Sequence, residues 1–164
     1  MPHCFLNAFE KADGLSSPTL RAASCSSPEA YSSASLEFDI YISPECTGTL
    51  MYNSLGYSAA AVSWCISVSD DAARISVRES EEGLGELVAT IPLGEWYTLR
   101  IDYTPKNGKT VLYTDSAPKG SSLSYYGKSD GKPPVTKLDG FSFATFKSAK
   151  ADVYIDNISL SFKQ

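Results

Sequence analysis

The chain predicts an all-β domain built as two packed antiparallel sheets, and three observations lead there. Apolar and polar residues alternate at period two along most of the chain, while helical periodicity barely appears. Gly, Pro, Asn and Asp punctuate that alternation into about eight to ten short runs, the cadence of a sandwich or barrel. The length of 164 residues, with 43% apolar and 20% charged, suits one domain that can bury its own core. Residues 1–164 therefore read as a single β-sandwich domain, with Met1-Pro2-His3 reading as a start joined to a module cut from a larger protein.

The elements follow in order. Leu36, Phe38, Ile40 and Ile42 share one face of a strand and Glu37, Asp39 and Tyr41 the other, until Pro44 and Gly48 end it. Trp64, Ile66 and Val68 form a second strand, stopped by Asp70-Asp71, and Ile75 with Val77 a third. Leu87, Ala89 and Ile91 form a fourth, closed by Pro92 and Gly94. Tyr97, Leu99, Ile101 and Tyr103 face one way and Thr98, Arg100 and Asp102 the other. The turn Pro105-Lys106-Asn107-Gly108 then leads into Val111, Leu112 and Tyr113, with Asn-Gly as the hairpin signal. A long loop is expected from Ala117 to Lys137, carrying Tyr125-Tyr126. Phe141 and Phe143 open the next strand. In the last, the apolar positions change from Val153 and Ile155 to Ile158, Leu160 and Phe162. A strand with one buried face can do this only through a bulge at Asp156-Asn157. Residues 11–35 are Ser- and Ala-rich and suit a poor edge strand or a surface crossing.

Composition excludes several functions. A net charge of −5 argues against nucleic acid, whose phosphates need a basic face. No apolar run is long enough for a membrane-spanning helix. The four cysteines, Cys4, Cys25, Cys46 and Cys65, contain no C-x-x-C pair and meet only one His, which disfavours a zinc site. Cys4 and Cys25 pair only if the N-terminal segments lie side by side; free thiols are the other reading. Cys65, inside an apolar run, reads as a small hydrophobe.

Two resemblances bear on function. Gly94-Glu95-Trp96-Tyr97-Thr98-Leu99-Arg100-Ile101-Asp102-Tyr103, followed by Asn107-Gly108-Lys109 and Val111-Leu112-Tyr113, resembles concanavalin A-like lectin, glucanase and laminin-G-like domains. Asp115 is followed by Ser116 where those domains carry Gly. Asn7-Ala8-Phe9-Glu10 and Val153-Tyr154-Ile155-Asp156-Asn157-Ile158-Ser159-Leu160 resemble the opening and closing motifs of jelly-roll carbohydrate-binding modules of bacterial secreted proteins. These resemblances imply a jelly-roll or concanavalin A-like sandwich. They also imply a structural calcium held by Glu10 and Asp156, the hard oxygen ligands it prefers. The alternative for Asp156 is that it caps the bulge through its own side chain.

A laminarinase-type glucanase would need two carboxylates and an acid/base on one strand face. Glu37 and Asp39 begin such a motif, but Tyr41 or Ile42 stands where the third carboxylate belongs, so no enzyme is expected. The favoured function is a non-catalytic module binding a polysaccharide by ring stacking and hydrogen bonds. It would be fused to other domains, extracellular or at the cell surface, without nucleic-acid or membrane partners. Two sites are open: a sheet face with Tyr41, Arg100, Asp102, Glu37 and Asp39, and a loop rim with Tyr52, Tyr57, Tyr125 and Tyr126. Trp64 and Trp96 are expected to be core or edge-covering rings. The chief alternative is a structural or adhesive spacer of a surface or phage-tail protein.

Overall fold

One strand, β3 (Ser33–Ile42), shows how the rest is built. Ala34, Leu36, Phe38, Ile40 and Ile42 are at most 1% exposed, while Ser33, Ser35, Glu37, Asp39 and Tyr41 take the opposite side. Pleating sends successive side chains to opposite faces, so a single strand supplies one row to the core and another to the surface.

The computed structural model describes residues 3–6, 19–21, 26–56, 58–78, 84–115, 117–123, 131–145 and 152–164. Among them it is an all-β antiparallel sandwich of two six-stranded sheets, as expected. The first sheet runs β1 (His3–Leu6), β12 (Val153–Lys163), β3, β8 (Trp96–Thr104), β9 (Lys109–Thr114), β10 (Ala117–Leu123). The second runs β2 (Thr19–Arg21), β11 (Phe141–Thr145), β4 (Gly48–Leu55), β5 (Val62–Ser69), β6 (Ala72–Arg78), β7 (Leu84–Pro92). The first and last strands are neighbours at one margin, with His3 opposite Ser161.

The inward rows of both sheets meet in one core. Phe38 of the first sheet lies 4.8 Å from Phe143 and 6.4 Å from Trp64, ring centre to ring centre, and Phe141 joins at 5.5 Å from Phe143. Burying each such ring stabilises the fold by about 1.5–3 kcal/mol relative to exposure. Asn53 is the polar member of this layer, 3% exposed. Its amide oxygen accepts Trp64 Nε1–H at 3.2 Å, so burial leaves neither group unpaired.

The turns follow from backbone conformation. Asp70 and Asp71 both have positive φ, 53° and 59°, which makes the two-residue β5–β6 hairpin a primed turn matching strand twist. The four-residue Pro105–Gly108 loop joins β8 to β9, with Gly108 at φ 68° donating to Thr104 O at 2.9 Å. The bulge expected at Asp156-Asn157 is present. Pairing to β3 passes from Asp156↔Asp39 to Ser159↔Glu37, Asn157 has φ 50°, and Ile155 and Ile158 are both buried.

Two expectations change. β4 was not foreseen, because a register shift between Thr49 and Met51 and the inward Asn53 break its alternation. The long loop is shorter, since Ala117–Leu123 joins the edge of the first sheet along β9. Its pairing slips around Pro118 and Gly120, irregularities that an edge strand tolerates. Cys65 is buried, as expected of a small hydrophobe, on the outer side of its sheet in register with Tyr52 and Ser76. Burial pushes its thiol pKa up. Cys46 and Cys65 are free thiols, while Cys25 lies outside the described residues, and with it the Cys4–Cys25 pairing.

Candidate functional site

The outward rows of β12, β3, β8 and β9 form one face. Its upper end is aromatic, because register places Tyr41 opposite Trp96 on one side and Tyr154 on the other. Tyr41 lies 5.7 Å from the Trp96 ring and 6.0 Å from the Tyr154 ring. Trp96 and Tyr154 are 54% and 51% exposed, an uncommon state for large rings standing together. Asp152 accepts the Tyr154 hydroxyl and holds its pKa above the ordinary tyrosine value.

Below the rings comes a polar row fixed by hydrogen bonds. Asp39 accepts from Thr98 Oγ1 at 2.6 Å and from Asn157 Nδ2 at 2.7 Å, which engages both carboxylate oxygens. The bulge serves this row: left-handed Asn157 swings its amide over to β3, and Asp156 Oδ1 accepts the Asn157 N–H at 2.8 Å. Glu37 is exposed and stands in register between Ser159 and Arg100. The Arg100 guanidinium lies 4.0 Å above the Tyr113 ring, a cation–π contact across the strand pair. Its Nε, shielded from water, lies 3.2 Å from Asp102 Oδ1, and Ser35 Oγ donates to the same oxygen at 2.7 Å.

The lower end of the face sinks into a depression of about 440 Å³, lined among others by Ser33, Ser35, Arg100, Asp102, Lys109 and Lys163.

The structure brings together Tyr41, Arg100, Asp102, Glu37 and Asp39, the residues the alternation placed on a sheet face. It overturns the expectation for Trp96. With Tyr97, Leu99, Ile101 and Tyr103 turned inward, Trp96 must share the outer side with Thr98 and Arg100. Trp64, by contrast, is a core ring at 3% exposure. Tyr52 is not on a loop rim: it lies in β4 on the outer side of the second sheet, with Arg78 5.0 Å above its ring. Tyr57, Tyr125 and Tyr126 lie outside the described residues. Tyr154 was missed as a site residue. Its signal was present, since plain alternation puts Tyr154 on the face opposite Val153 and Ile155, but only strand order reveals its partners.

Glu10 also lies outside the described residues. Asp156 caps its own bulge, and among the described residues no three His, Cys, Asp or Glu groups converge on a metal position. The calcium expected of Glu10 and Asp156 thus has one of its two carboxylates among the described residues.

No protein-family model matches the sequence, and no curated protein matches it. Solved structures do match in fold. A sialidase superposes with a TM-score of 0.62 at 14% identity over 91% of this chain, which spans only 14% of the sialidase. The carbohydrate-binding module CBM66 from Bacillus subtilis gives 0.55 at 13% identity, covering 98% of this chain and 92% of that one. A carbohydrate esterase from the Shiga toxin-encoding bacteriophage phi24B gives 0.61 at 12%, covering 99% and 88%. At these identities the likeness is one of fold.

Proposed function

We propose that this domain binds a polysaccharide, without transforming it, along the outer face of the first sheet. The observation that carries the reading is the trio Tyr41, Trp96 and Tyr154, two of its rings more than half exposed beside a row of fixed polar groups. A pyranose ring offers an apolar face of C–H groups and an equatorial rim of hydroxyls. Exposed aromatic rings match the first by stacking, and the exposed Glu37, with Asn157 and Thr98 held in place by Asp39, matches the second by hydrogen bonding. The fold likeness to a carbohydrate-binding module supports the same reading.

The non-catalytic part rests on the fate of the carboxylates. Asp39 spends both oxygens on protein donors, and Tyr41 occupies the place of the third acid. Hydrolysis of a glycosidic bond needs a group free to protonate the leaving oxygen. A location outside the cell or at its surface, and fusion to other domains, go with this reading.

The test is electrophoresis in gels cast with a broad panel of soluble polysaccharides. The domain is expected to be retarded by at least one of them. Trp96→Ala should abolish the retardation, Tyr154→Ala should weaken it, and Tyr52→Ala on the opposite sheet should leave it intact. Full mobility across the panel sinks the proposal in favour of a structural spacer. Loss in Tyr52→Ala with retention in Trp96→Ala moves the site to the other sheet.

A further inference from the structure

We infer that the depression at the lower end of the same face is a subsite for a carboxylate-bearing sugar, so that the polysaccharide is a polyuronate. The inference rests on the glycan-binding reading above and adds the charge of the ligand. The chain carries a net charge of −5, yet this depression is lined by three cations, Arg100, Lys109 and Lys163, and one carboxylate, Asp102. The local sign is therefore opposite to that of the whole molecule, a focused field that draws an anion to this point.

The carboxylate that is present does not cancel the cations. Asp102 Oδ1 accepts from Ser35 Oγ at 2.7 Å and lies 3.2 Å from Arg100 Nε, an ion pair without hydrogen-bond alignment. Tyr113, 4.0 Å away, fixes its plane. Among the described residues the only salt bridge of Arg100 is the one at Nε, which leaves its terminal nitrogens without a carboxylate. A guanidinium held in this way meets a carboxylate through two parallel N–H···O bonds at little ordering cost. Lys109 and Lys163 are exposed, and among the described residues neither forms an ion pair. Their strand positions, opposite Thr104 and Ser33, set them on two sides of the depression. The Ser33, Ser35 and Ser161 side chains supply hydroxyl partners for the sugar.

The distance suits one ligand for both ends. Tyr41 and Ser35 are six positions apart on β3, about 20 Å at strand rise, so an oligosaccharide lying along the strands would reach from rings to cations.

The experiment is calorimetric titration of the whole chain with polygalacturonate, alginate and hyaluronan, each beside its carboxyl-reduced form, and with dextran sulphate. At least one polyuronate should bind about tenfold or more tightly than its reduced form, with added salt eroding the difference. The variant Lys109→Ala/Lys163→Ala should narrow the gap between acidic and reduced forms by about threefold or more with an unchanged thermal melt, Arg100 holding what remains, and Lys109→Arg/Lys163→Arg should keep the full preference. Equal affinity for acidic and reduced forms in the parent chain overturns the inference while the glycan-binding reading stands. So does a preference undiminished in the double alanine variant, or dextran sulphate binding as well as the best polyuronate. Binding to none of these polymers, reduced forms included, overturns the inference. If the electrophoresis panel is also blank, the glycan-binding reading falls with it.

Discussion

Two aromatic clusters stand back to back across the first sheet, and they share strand β3. Phe38 points inward to Trp64, Phe143 and, through it, Phe141; three residues on, Tyr41 points outward to Trp96 and Tyr154. Ring spacings are similar, 4.8–6.4 Å within the first and 5.7–6.0 Å within the second. The residue types differ. The inner rings are Phe, plus one Trp whose N–H goes to Asn53, whereas every outer ring carries an O–H or N–H at a wet surface. Burial explains the inner cluster completely, since each ring removes apolar area from water. It accounts for little of the outer one, two of whose rings stay more than half exposed and which the proposed function assigns to sugar stacking.

The largest effect that could break this contrast is on stability. Trp64→Ala should lower the free energy of unfolding by about 3–5 kcal/mol, through lost burial and a cavity, while Trp96→Ala should change it by less than about 0.5 kcal/mol. Denaturant titration of the two variants decides; comparable losses would mean that Trp96 is structural. In binding the order should reverse. Trp96→Ala should weaken polysaccharide affinity by about 1.4 kcal/mol or more, a tenfold change readable by calorimetry.

A smaller effect tests whether the polar row beneath the outer rings is fixed by hydrogen bonds. Asn157→Ala should cost about 1–2 kcal/mol, because Ala tolerates φ 50° poorly and the Asp39 contact is lost. Asn157→Gly relieves the backbone and should cost less, although it loses the same hydrogen bond. Equal costs for the two would place the whole effect in the side chain.

The smallest effect concerns Tyr31, whose ring meets Phe162 edge-on at 5.4 Å and whose buried hydroxyl has no hydrogen-bond partner among the described residues. Burial pushes its pKa up to about 12. The unfolded chain ionises this group near pH 10, so the folded state holds the proton more tightly in between. The resulting stabilisation is full below about pH 10 and is lost as pH rises through about 12. Urea midpoints should fall over that range less steeply in Tyr31→Phe than in the parent, with little difference at neutral pH because no hydrogen bond is removed.

Most of the fold was legible because β3 and β8 alternate cleanly, and β12 does so on either side of its bulge. The bulge in β12 could be read from a parity change alone, since burial of Ile155 and Ile158 demands it. β4 stayed hidden because its inward row contains Asn53, whose partner, the Trp64 indole, is remote in sequence. The site was half legible. Alternation puts Glu37, Asp39, Tyr41, Arg100 and Asp102 outside, and applied strictly it puts Trp96 there too; a general preference for burying Trp masked this. That Tyr41 sits between Trp96 and Tyr154 depends on β3 lying between β8 and β12. No local pattern encodes that order.

The adjacency of β1 and β12 bears on how this chain can be rewired. Ile40 and Ile155 are ladder partners drawn from distant parts of the chain, so closing the first sheet carries a large loop entropy. A circular permutant that joins the two terminal strands by a short linker and opens new ends at the Asp70-Asp71 hairpin would place β12 a few elements before β3. Both sheets would survive, the contact order would drop, and refolding should be faster than in the parent.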